Sequence, residues 1–453
     1  MPRFPPEPRP PREVATEESV PTVRPFRALR YRSESVPDLS RVVSPPYDVI
    51  SAEEQRVLLE RDPRNVVRLD LPTSEVGEEP DDRYRRAART LAAWRSDGTL
   101  HKDPRPALYP YEQVYVVPGT GESRTQRGFF GRLRLESLEP GSGVRPHERT
   151  LAGPREDRYR LLRATGVNTS AVVVLHEDPS GATASVLDAA TAGRPAGDVV
   201  DDEGVRHRLW VLPDDGDAGG SVARLAELAG QGAVTIADGH HRYETALRYR
   251  DERRMSRSCE EDPAFDYILA LFLESRVQPL TVLPTHRLVH GVDPDALVVA
   301  AREHFAVEGA EREVLDRWGV AGHGGRGCFG LWTRSGGYTL TVPSATVDAW
   351  LPAETDAVRS LDVTVLGAVL EHLAGIDAEA VAGGGRMSYT KSATDAMRRV
   401  DERVDGADAA FLLEPTPVAS ILAVAGEGNV MPQKSTYFHP KPLTGLVINP
   451  HEW

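Results

Sequence analysis

Apolar residues recur at helical spacing in several segments of the chain. Over 81–96 they place Tyr84, Leu91 and Trp94 on one face, which predicts an amphipathic helix. Ser51 precedes another such segment as a suitable N-cap, because its hydroxyl can accept from free N–H groups of the first turn. The same spacing predicts helices over 52–61, 155–163, 221–229, 241–254 and 356–374.

Other segments alternate between apolar and polar residues or form short β-branched runs, and both patterns predict strands. The segments 108–117 and 126–135 predict a hairpin or two neighbouring strands. By contrast, 178–203 is rich in small residues and aspartate, which predicts a surface excursion. Further strands are expected over 171–175, 233–237, 267–273, 328–332, 338–342 and 409–413.

Irregular alternation of helices and strands without an internal repeat indicates an α/β or α+β fold with a mixed sheet. The 453 residues suffice for about three domains. Eight prolines among the first 25 residues predict a disordered tail. The expected division is a tail over 1–24, an α/β region over 25–140, a core over 141–290 with an insertion near 176–225, and an α/β region over 291–453 that completes the pocket.

Composition narrows the classes of function. The chain has 54 Lys and Arg against 68 Asp and Glu, a net charge of −14 that argues against broad contact with nucleic acid. It has no apolar run of ~20 residues for a membrane span and no apolar N-terminal signal core, so we expect a cytoplasmic protein. The two cysteines, Cys259 and Cys328, stand in no ligand-like spacing, which excludes a disulfide scaffold, a cysteine zinc site and an iron–sulfur cluster.

The segment 237–245 carries the strongest chemical signal. It lies where a predicted strand ends and a predicted helix begins, and free N–H groups at a helix start attract anions. Asp238 can cap the helix or bind a hard cation, and Gly239 permits the sharp turn. A zinc site built by both histidines is disfavoured, because adjacent side chains on a helix diverge by about 100°. The remaining candidates for an anion site are His240, His241, Arg242 and Thr245.

A second segment, 145–150, places His147 and Glu148 directly after a proline that stiffens the backbone, and Thr150 at its end. A carboxylate beside imidazole and guanidinium groups can act as a general base toward an alcohol. A solvated charged turn has the same composition, so the pattern alone leaves both interpretations open.

Two further segments supply weaker signals. The glycine-rich stretch 383–392 contains Lys391 and is interpreted equally as a phosphate loop or as a flexible loop before a capped helix. It lacks the Walker A pattern. His286 lies in a short polar turn, 285–287, which could line the same cavity as the other candidates.

Near the C-terminus, the segment 431–441 gathers an unusual density of donors between prolines. Lys434, Ser435 and Thr436 are its candidates for phosphate binding. The pattern fits a pocket wall and a docking segment equally well. The chain also lacks a Gly-x-Ser-x-Gly elbow, a Rossmann Gly-x-Gly-x-x-Gly and a His-Glu-x-x-His motif. Their absence argues against the common classes of hydrolase, dehydrogenase and zinc protease.

Six short blocks together resemble the signature of the DUF1015 family, a domain of unknown function. The resemblance runs from about residue 24 to residue 453 and brings no settled activity. In chain order the blocks are Pro46-Tyr-Asp-Val-Ile50, Pro146-His-Glu148, Ala237-Asp-Gly-His-His-Arg-Tyr243, Pro284-Thr-His-Arg287, Ser388-Tyr-Thr-Lys391 and Met431-Pro-Gln-Lys-Ser-Thr-Tyr-Phe438.

Asp-Gly-His-His-Arg at a strand–helix junction, preceded by Pro-His-Glu, is also similar to the free serine kinases of the ParB/sulfiredoxin superfamily. Those enzymes phosphorylate the hydroxyl of free L-serine from a nucleotide. The resemblance covers about a third of the chain and implies a ParB/sulfiredoxin-like core over 141–290. It implies Glu148 as general base, Asp238 as the group that orients substrate or a Mg²⁺-bound phosphate, and His240 as a holder of the phosphoryl group.

The resulting hypothesis is a nucleotide-dependent small-molecule kinase with serine as first candidate acceptor, ATP or ADP as nucleotide and Mg²⁺ as metal, held by Asp238. Its expected partners are a nucleotide and a small hydroxylated metabolite, with a homodimer left open. The alternatives are a ParB-like nucleotide-binding switch without turnover and a metal-dependent phosphatase or hydrolase. The expected phosphate- or nucleotide-binding residues are Gly239, His241, Arg242, Thr245, Lys391, Lys434, Ser435 and Thr436. The expected substrate-binding residues are Tyr47, Asp48, His147, Thr150 and His286.

Overall fold

The computed structural model describes residues 19–148, 152–256, 261–320, 322, 326–382 and 384–453. Its strands, in chain order, are β1 (Val23–Arg24), β2 (Leu29–Tyr31), β3 (Leu100–Lys102), β4 (Ala107–Val116), β5 (Ser123–Arg134), β6 (Val144–Arg145), β7 (Val167–Asn168), β8 (Val172–His176), β9 (Gly197–Val200), β10 (Arg206–Leu209), β11 (Leu212–Pro213), β12 (Val234–Asp238), β13 (Tyr267–Glu274), β14 (Thr281–Leu283), β15 (His286–His290), β16 (Ala306–Ala310), β17 (Cys328–Thr333), β18 (Gly336–Thr341), β19 (Met387–Thr390), β20 (Ala407–Leu412), β21 (Tyr437–His439) and β22 (Asn449–Pro450).

The helices are interspersed among these strands. They are α1 (Ala52–Arg61), α2 (Val67–Asp70), α3 (Asp82–Ser96), α4 (Ala152–Thr165), α5 (Ala182–Ala190), α6 (Ser221–Ala229), α7 (His240–Ser256), α8 (Pro294–His304), α9 (Arg312–Leu315), α10 (Ser344–Trp350), α11 (Asp356–Arg359), α12 (Asp362–Ala374), α13 (Ala378–Ala382), α14 (Ala393–Asp401) and α15 (Val418–Gly426). Within the described residues, no helix is both long and apolar enough to cross a membrane.

A large mixed sheet forms the centre of the fold, so the predicted α/β class with a mixed sheet is confirmed. Its main path runs β6-β12-β8-β13-β5-β4-β10-β9, with β1 added to β5 and β11 added to β4. β13 pairs in parallel with β8 and antiparallel with β5. Every residue of β13 is buried, as expected for a central strand covered on both faces. One sheet therefore spans the regions that the sequence placed on either side of residue 140.

A second sheet of six strands runs β16-β18-β17-β20-β15-β19. The C-terminal segment then returns to the large sheet region. β21 pairs with β14 and β22 pairs with β7. Arg132 of β5 is buried and donates from Nε to Asn449 Oδ1 at 2.7 Å, so the end of the chain is held against the middle of the large sheet.

Several predicted elements are confirmed with small shifts at their ends. Among them are the five helices α1, α3, α4, α6 and α7 and the antiparallel pair β4 and β5. Ser51 caps α1 as expected: its hydroxyl accepts from the N–H of Glu54, whose carboxylate accepts from the N–H of Ser51. This reciprocal capping box explains why the helix begins at this position.

Three expectations were wrong in part. Residues 19–24 do not belong to a disordered tail, because Val23 and Arg24 pair with β5. The segment 178–203 is not only a surface excursion, since it contains α5 and β9. The helix expected over 356–374 is two helices, α11 and α12, because Leu361 has an extended conformation between them.

Candidate functional site

Two neighbouring strands of the large sheet end at the candidate site. β6 and β12 pair in parallel, with Arg145 opposite Thr235. Parallel strands place their carboxyl ends at the same edge of a sheet. His147 and Glu148 follow β6, and Asp238 is the last residue of β12. The fold therefore brings together the two segments with the clearest chemical patterns.

Gly239 makes the turn from β12 into α7. Its φ is +89°, and a Cβ at this position would lie 3.0 Å from Arg242 Cζ and 3.1 Å from Val172 Cγ1. Residues with a side chain rarely adopt such a φ, so both the conformation and the space require glycine here. The close approach also lets the Arg242 guanidinium lie against the turn.

Replacing Gly239 by alanine is expected to lower the free energy of unfolding by about 1–3 kcal/mol, because the methyl group adds a strained φ to two close contacts. The matched control is Gly367→Ala, in the middle of α12, where an added Cβ meets nothing within 4 Å. Urea unfolding followed by circular dichroism measures both variants. Equal stabilities for the two variants would contradict the requirement for glycine at 239.

Asp238 lies between two cations. Arg242 Nη2 donates to its Oδ2 at 2.6 Å, and Lys441 Nζ donates to its Oδ1. Burial alone would raise the pKa of this carboxyl, but the charges of Lys441 and Arg242 hold it well below its usual range. Asp238 is thus an ionised pair partner for both cations.

Arg242 is also buried, with only 8% of its surface exposed. Nη1 donates to the carbonyl of Ala171, and Nη2 lies 3.9 Å from Asp48 Oδ2. Its Nε has no partner within the described part of the chain. The guanidinium therefore lies between Asp48 and Asp238, and its Nε–H is free to donate to a ligand.

His147 and His240 form a neutral pair beside Asp238. His147 Nδ1 donates to the carbonyl of Ile236, so its Nε2 accepts from the hydroxyl of Thr436 at 2.8 Å. The backbone N–H of His147 donates to His240 Nε2 at 3.2 Å, which places the proton of the second ring on Nδ1. Burial lowers the pKa of His147 to about 4 and lowers that of His240 well below its ordinary value. Both rings are therefore neutral at pH 7.

Glu148 is held by the C-terminal segment. The backbone N–H of Lys434 donates to Glu148 Oε1 at 2.8 Å, and Glu148 Oε2 lies 4.0 Å from His147 Nε2. Burial raises the pKa of Glu148 to about 7, against the N–H groups of Lys434 and Ser435 and the charge of Lys434, which lower it. The carboxyl can therefore exchange a proton near neutral pH, as a general base requires.

The segment 431–441 reaches the site because its backbone continues the edge of the large sheet. Met431 forms a parallel bridge with Glu148, and its N–H donates to the carbonyl of His147 at 2.8 Å. The hydroxyl of Ser435 donates to the carbonyl of Pro432, so this residue contacts Glu148 through its backbone N–H. Of the two interpretations left open by the sequence, these contacts fit a pocket wall.

An aromatic ring joins two lysines at the same place. Lys391 Nζ lies 3.5 Å from the centre of the Tyr437 ring, and Lys441 Nζ lies 4.4 Å from it. Partial burial of its ammonium group and the charge of Lys441 lower the pKa of Lys391 to about 8. The positive charge that converges here favours an anionic ligand.

Four residues near the site were not among the expected site residues: Lys441, Tyr437, Arg287 and Tyr389. Arg287 is 5% exposed, and its Nη1 has no partner among the described residues. The negative charge of Glu148 acts on its guanidinium group. Tyr389 pairs with it across β15 and β19. Lys441 and Arg287 are the last residues of the segments 431–441 and 285–287, which the sequence already indicated as candidates. The density of polar residues in these segments could therefore have identified both side chains.

Some expected residues lie away from this cluster. Thr245 is buried and its hydroxyl donates to the carbonyl of Arg155. His286 is fully buried in β15, and its Nδ1 accepts from the N–H of Leu413, which directly follows β20. Tyr47 borders the cluster instead: its ring packs 4.0 Å from the guanidinium carbon of Arg158, and its hydroxyl interacts with the charge of Arg242. His241 is half-buried within the cluster, where the charge of Lys434 acts on it. Thr150 lies outside the described residues.

The contacts of Asp238 bear on the expected magnesium site. Lys441 and Arg242 already occupy both carboxylate oxygens. Within the described residues, no group of three or more His, Cys, Asp or Glu side chains could hold a metal ion. The residues present therefore do not fit a magnesium ion held by Asp238 as the structure stands, and its role as a metal ligand gains no support from this geometry.

Solved structures with some similarity to this chain include a conserved hypothetical protein from Pyrococcus furiosus, with 11% identity over 66% of this chain and 88% of that chain and a TM-score of 0.33. A free serine kinase in complex with AMP has 13% identity over 65% of this chain and 83% of its own, with a TM-score of 0.34. SbnI from Staphylococcus aureus, truncated at its C-terminus, has 12% identity over 67% and 83% of the two chains and a TM-score of 0.34. No curated protein matches the chain.

A family model matches a much larger part of the sequence than any single motif. The match covers residues 23–364, which include the strands of the large sheet from β1 to β13, Glu148, and the turn from β12 into α7. The family resemblance is thereby confirmed, and four of the six sequence blocks lie within the matched residues. The chain belongs to the family described as protein of unknown function (DUF1015).

Proposed function

We propose that the protein is a nucleotide-dependent small-molecule kinase that transfers a phosphoryl group to the hydroxyl of free serine or a similar metabolite. The observation that carries the proposal is the position of Glu148. A carboxyl with a pKa near 7 lies beside a helix start and a group of cations, where a general base and an anion site are needed together.

The balanced step follows from these positions. Glu148 accepts the proton of the acceptor hydroxyl, and the oxygen forms a bond to the terminal phosphorus of the nucleotide. The bond from that phosphorus to the bridging oxygen breaks, and the nucleotide leaves one phosphoryl group shorter. Arg242, Lys441 and the start of α7 neutralise the charge on the phosphates. His240, protonated on Nδ1, offers a neutral donor to the same group.

The proposal is tested by incubating the purified protein with ATP or ADP, Mg²⁺ and L-serine and following phosphoserine by phosphorus NMR. Phosphoserine should form in step with loss of the terminal phosphoryl group. Nucleotide binding without any phosphorylated product would support a regulatory switch instead. If thermal unfolding is unchanged by every nucleotide at 100 times a typical Kd, where binding would add about 2.7 kcal/mol, the proposal fails.

The rate of transfer is expected to rise with pH through about 7. Burial raises the pKa of Glu148 from its ordinary value of 4.5 to about 7, and only its carboxylate form accepts a proton. Below pH 7, kcat/KM should therefore fall about tenfold for each pH unit. Ionising this buried carboxyl also destabilises the folded state, so its stabilising contribution is complete below pH 4.5 and is lost as the pH rises toward 7. A rate that is constant from pH 5.5 to 7.5 would exclude Glu148 as the base.

A further inference from the structure

A cavity of about 330 Å³ opens beside the candidate site, within the size range of ligand pockets of about 300–1,000 Å³. One wall is formed by α1 and the preceding turn, and the other by β9 and the turn that follows it. Apolar side chains form part of the lining, with Ile50, Leu58, Val199 and Leu443 among them. Such a lining suits a flat heterocycle or another apolar group.

The inner end of this cavity is the cationic part of the candidate site. Lys391, Tyr437 and Lys441 all line it. Lys441 also pairs with Asp238, so the cavity is continuous with the group at the start of α7. No carboxylate pairs with Lys391 among the described residues, and it shares the Tyr437 ring with a second lysine. An anion placed here would reduce the repulsion between the two ammonium groups.

Carboxylates line the same cavity. They belong to Glu53, Glu54, Asp201, Asp202 and Glu203. The charges of Glu203 and Glu54 act on Lys391. The neighbouring Asp202 is already paired with Arg61 at 2.6 Å. The carboxylate of Glu203 is exposed. Carboxylate oxygens accept hydrogen bonds from hydroxyl groups and repel phosphates, so the cavity offers separate partners to the hydroxyl groups and to the phosphates of one ligand.

We propose that this cavity holds the base and ribose of the nucleotide, with the phosphates directed past Tyr437 toward Lys441 and the start of α7. The assignment rests on the proposed kinase function and adds the location of one substrate to it. The apolar side chains of the lining contact the base, its carboxylates accept from the ribose hydroxyls, and the two lysines bind the phosphates. The acceptor then lies on the other side of the phosphates, near Glu148 and Arg287.

Val57 of α1 lines the cavity and is 41% exposed, so a larger side chain there fills the cavity without disturbing the core. Val57→Trp is expected to weaken the binding of ADP at least tenfold and to leave the binding of inorganic pyrophosphate unchanged, both measured by titration calorimetry. The matched control is Val76→Trp, at a fully exposed position away from the cavity, which should change neither. Lys391→Met should weaken both ligands by a similar factor.

The outcomes separate the two proposals. If the wild-type protein binds ADP and forms phosphoserine, but Val57→Trp binds ADP within twofold of wild type, the location of the nucleoside is wrong and the kinase function stands. If Val57→Trp raises the KM for L-serine and leaves ADP binding intact, the cavity belongs to the acceptor, which also overturns the assignment. If the wild-type protein binds neither ADP nor pyrophosphate, both proposals fail.

Discussion

Replacing Glu148 by glutamine is expected to lower kcat for phosphoryl transfer about 100- to 10,000-fold, the range typical for loss of a general base. The amide oxygen of glutamine can still accept from the N–H of Lys434, so the segment 431–441 should stay in place. The amide cannot take the proton of the acceptor hydroxyl. The Kd for ADP should therefore change little, while turnover is lost, and both are measured on the same preparation.

The matched control for this substitution is Glu139→Gln, which removes an exposed carboxylate nine residues earlier in the chain. It should leave kcat within twofold of wild type. A second readout separates chemistry from structure: the loss of stability between pH 4.5 and 7 that Glu148 causes in the wild-type protein should disappear in Glu148→Gln. A variant that retains more than a third of wild-type kcat would show that another group accepts the proton.

Local sequence patterns were sufficient to predict the junction that organises this site. A β-branched run followed by Asp-Gly and an amphipathic segment places β12, Gly239 and α7 within a few residues of their observed limits. Periodicity, N-capping and the conformational freedom of glycine are all properties of neighbouring residues. For the same reason, Ser51 and α1 were predicted correctly.

The partners of the site residues depend on long-range pairing, which local patterns do not encode. Nothing within the segment around Asp238 shows that Lys441, about 200 residues later, pairs with it. Likewise, the buried Arg287 lies opposite Tyr389 because β15 pairs with β19, and the charge of Glu148 acts on both side chains. Thr245 shows the converse error, since a hydroxyl in a promising segment faces α4 and bonds to a backbone carbonyl there.

Replacing Asp238 by asparagine is expected to lower the free energy of unfolding by about 3–5 kcal/mol, because it removes the ion-pair partner of Lys441 and leaves Arg242 with only the more distant Asp48. Lys441 and Arg242 are only 11% and 7% exposed in their side chains, so water compensates them poorly. The matched control is Asp198→Asn, whose partner Arg206 is 53% exposed, and which should cost less than about 1 kcal/mol. Chemical unfolding at pH 7 measures both. The folded-state pKa of Asp238 lies below its unfolded value, so its stabilising effect is fully present at this pH and is lost only as the pH falls through the folded-state pKa.

A second substitution distinguishes an ion-pair role from the metal role that remains a prediction for Asp238. Adding Lys441→Met to Asp238→Asn should restore part of the lost stability, because it removes the cation that has lost its ion-pair partner. The single variant Asp238→Asn should also bind inorganic pyrophosphate more tightly than wild type, since Lys441 then lacks its ion-pair partner and Arg242 keeps only Asp48. If Asp238 instead held magnesium, pyrophosphate binding would weaken and lose its dependence on the metal. That outcome, together with no recovery in the double variant, would contradict the ion-pair role and return Asp238 to the metal site.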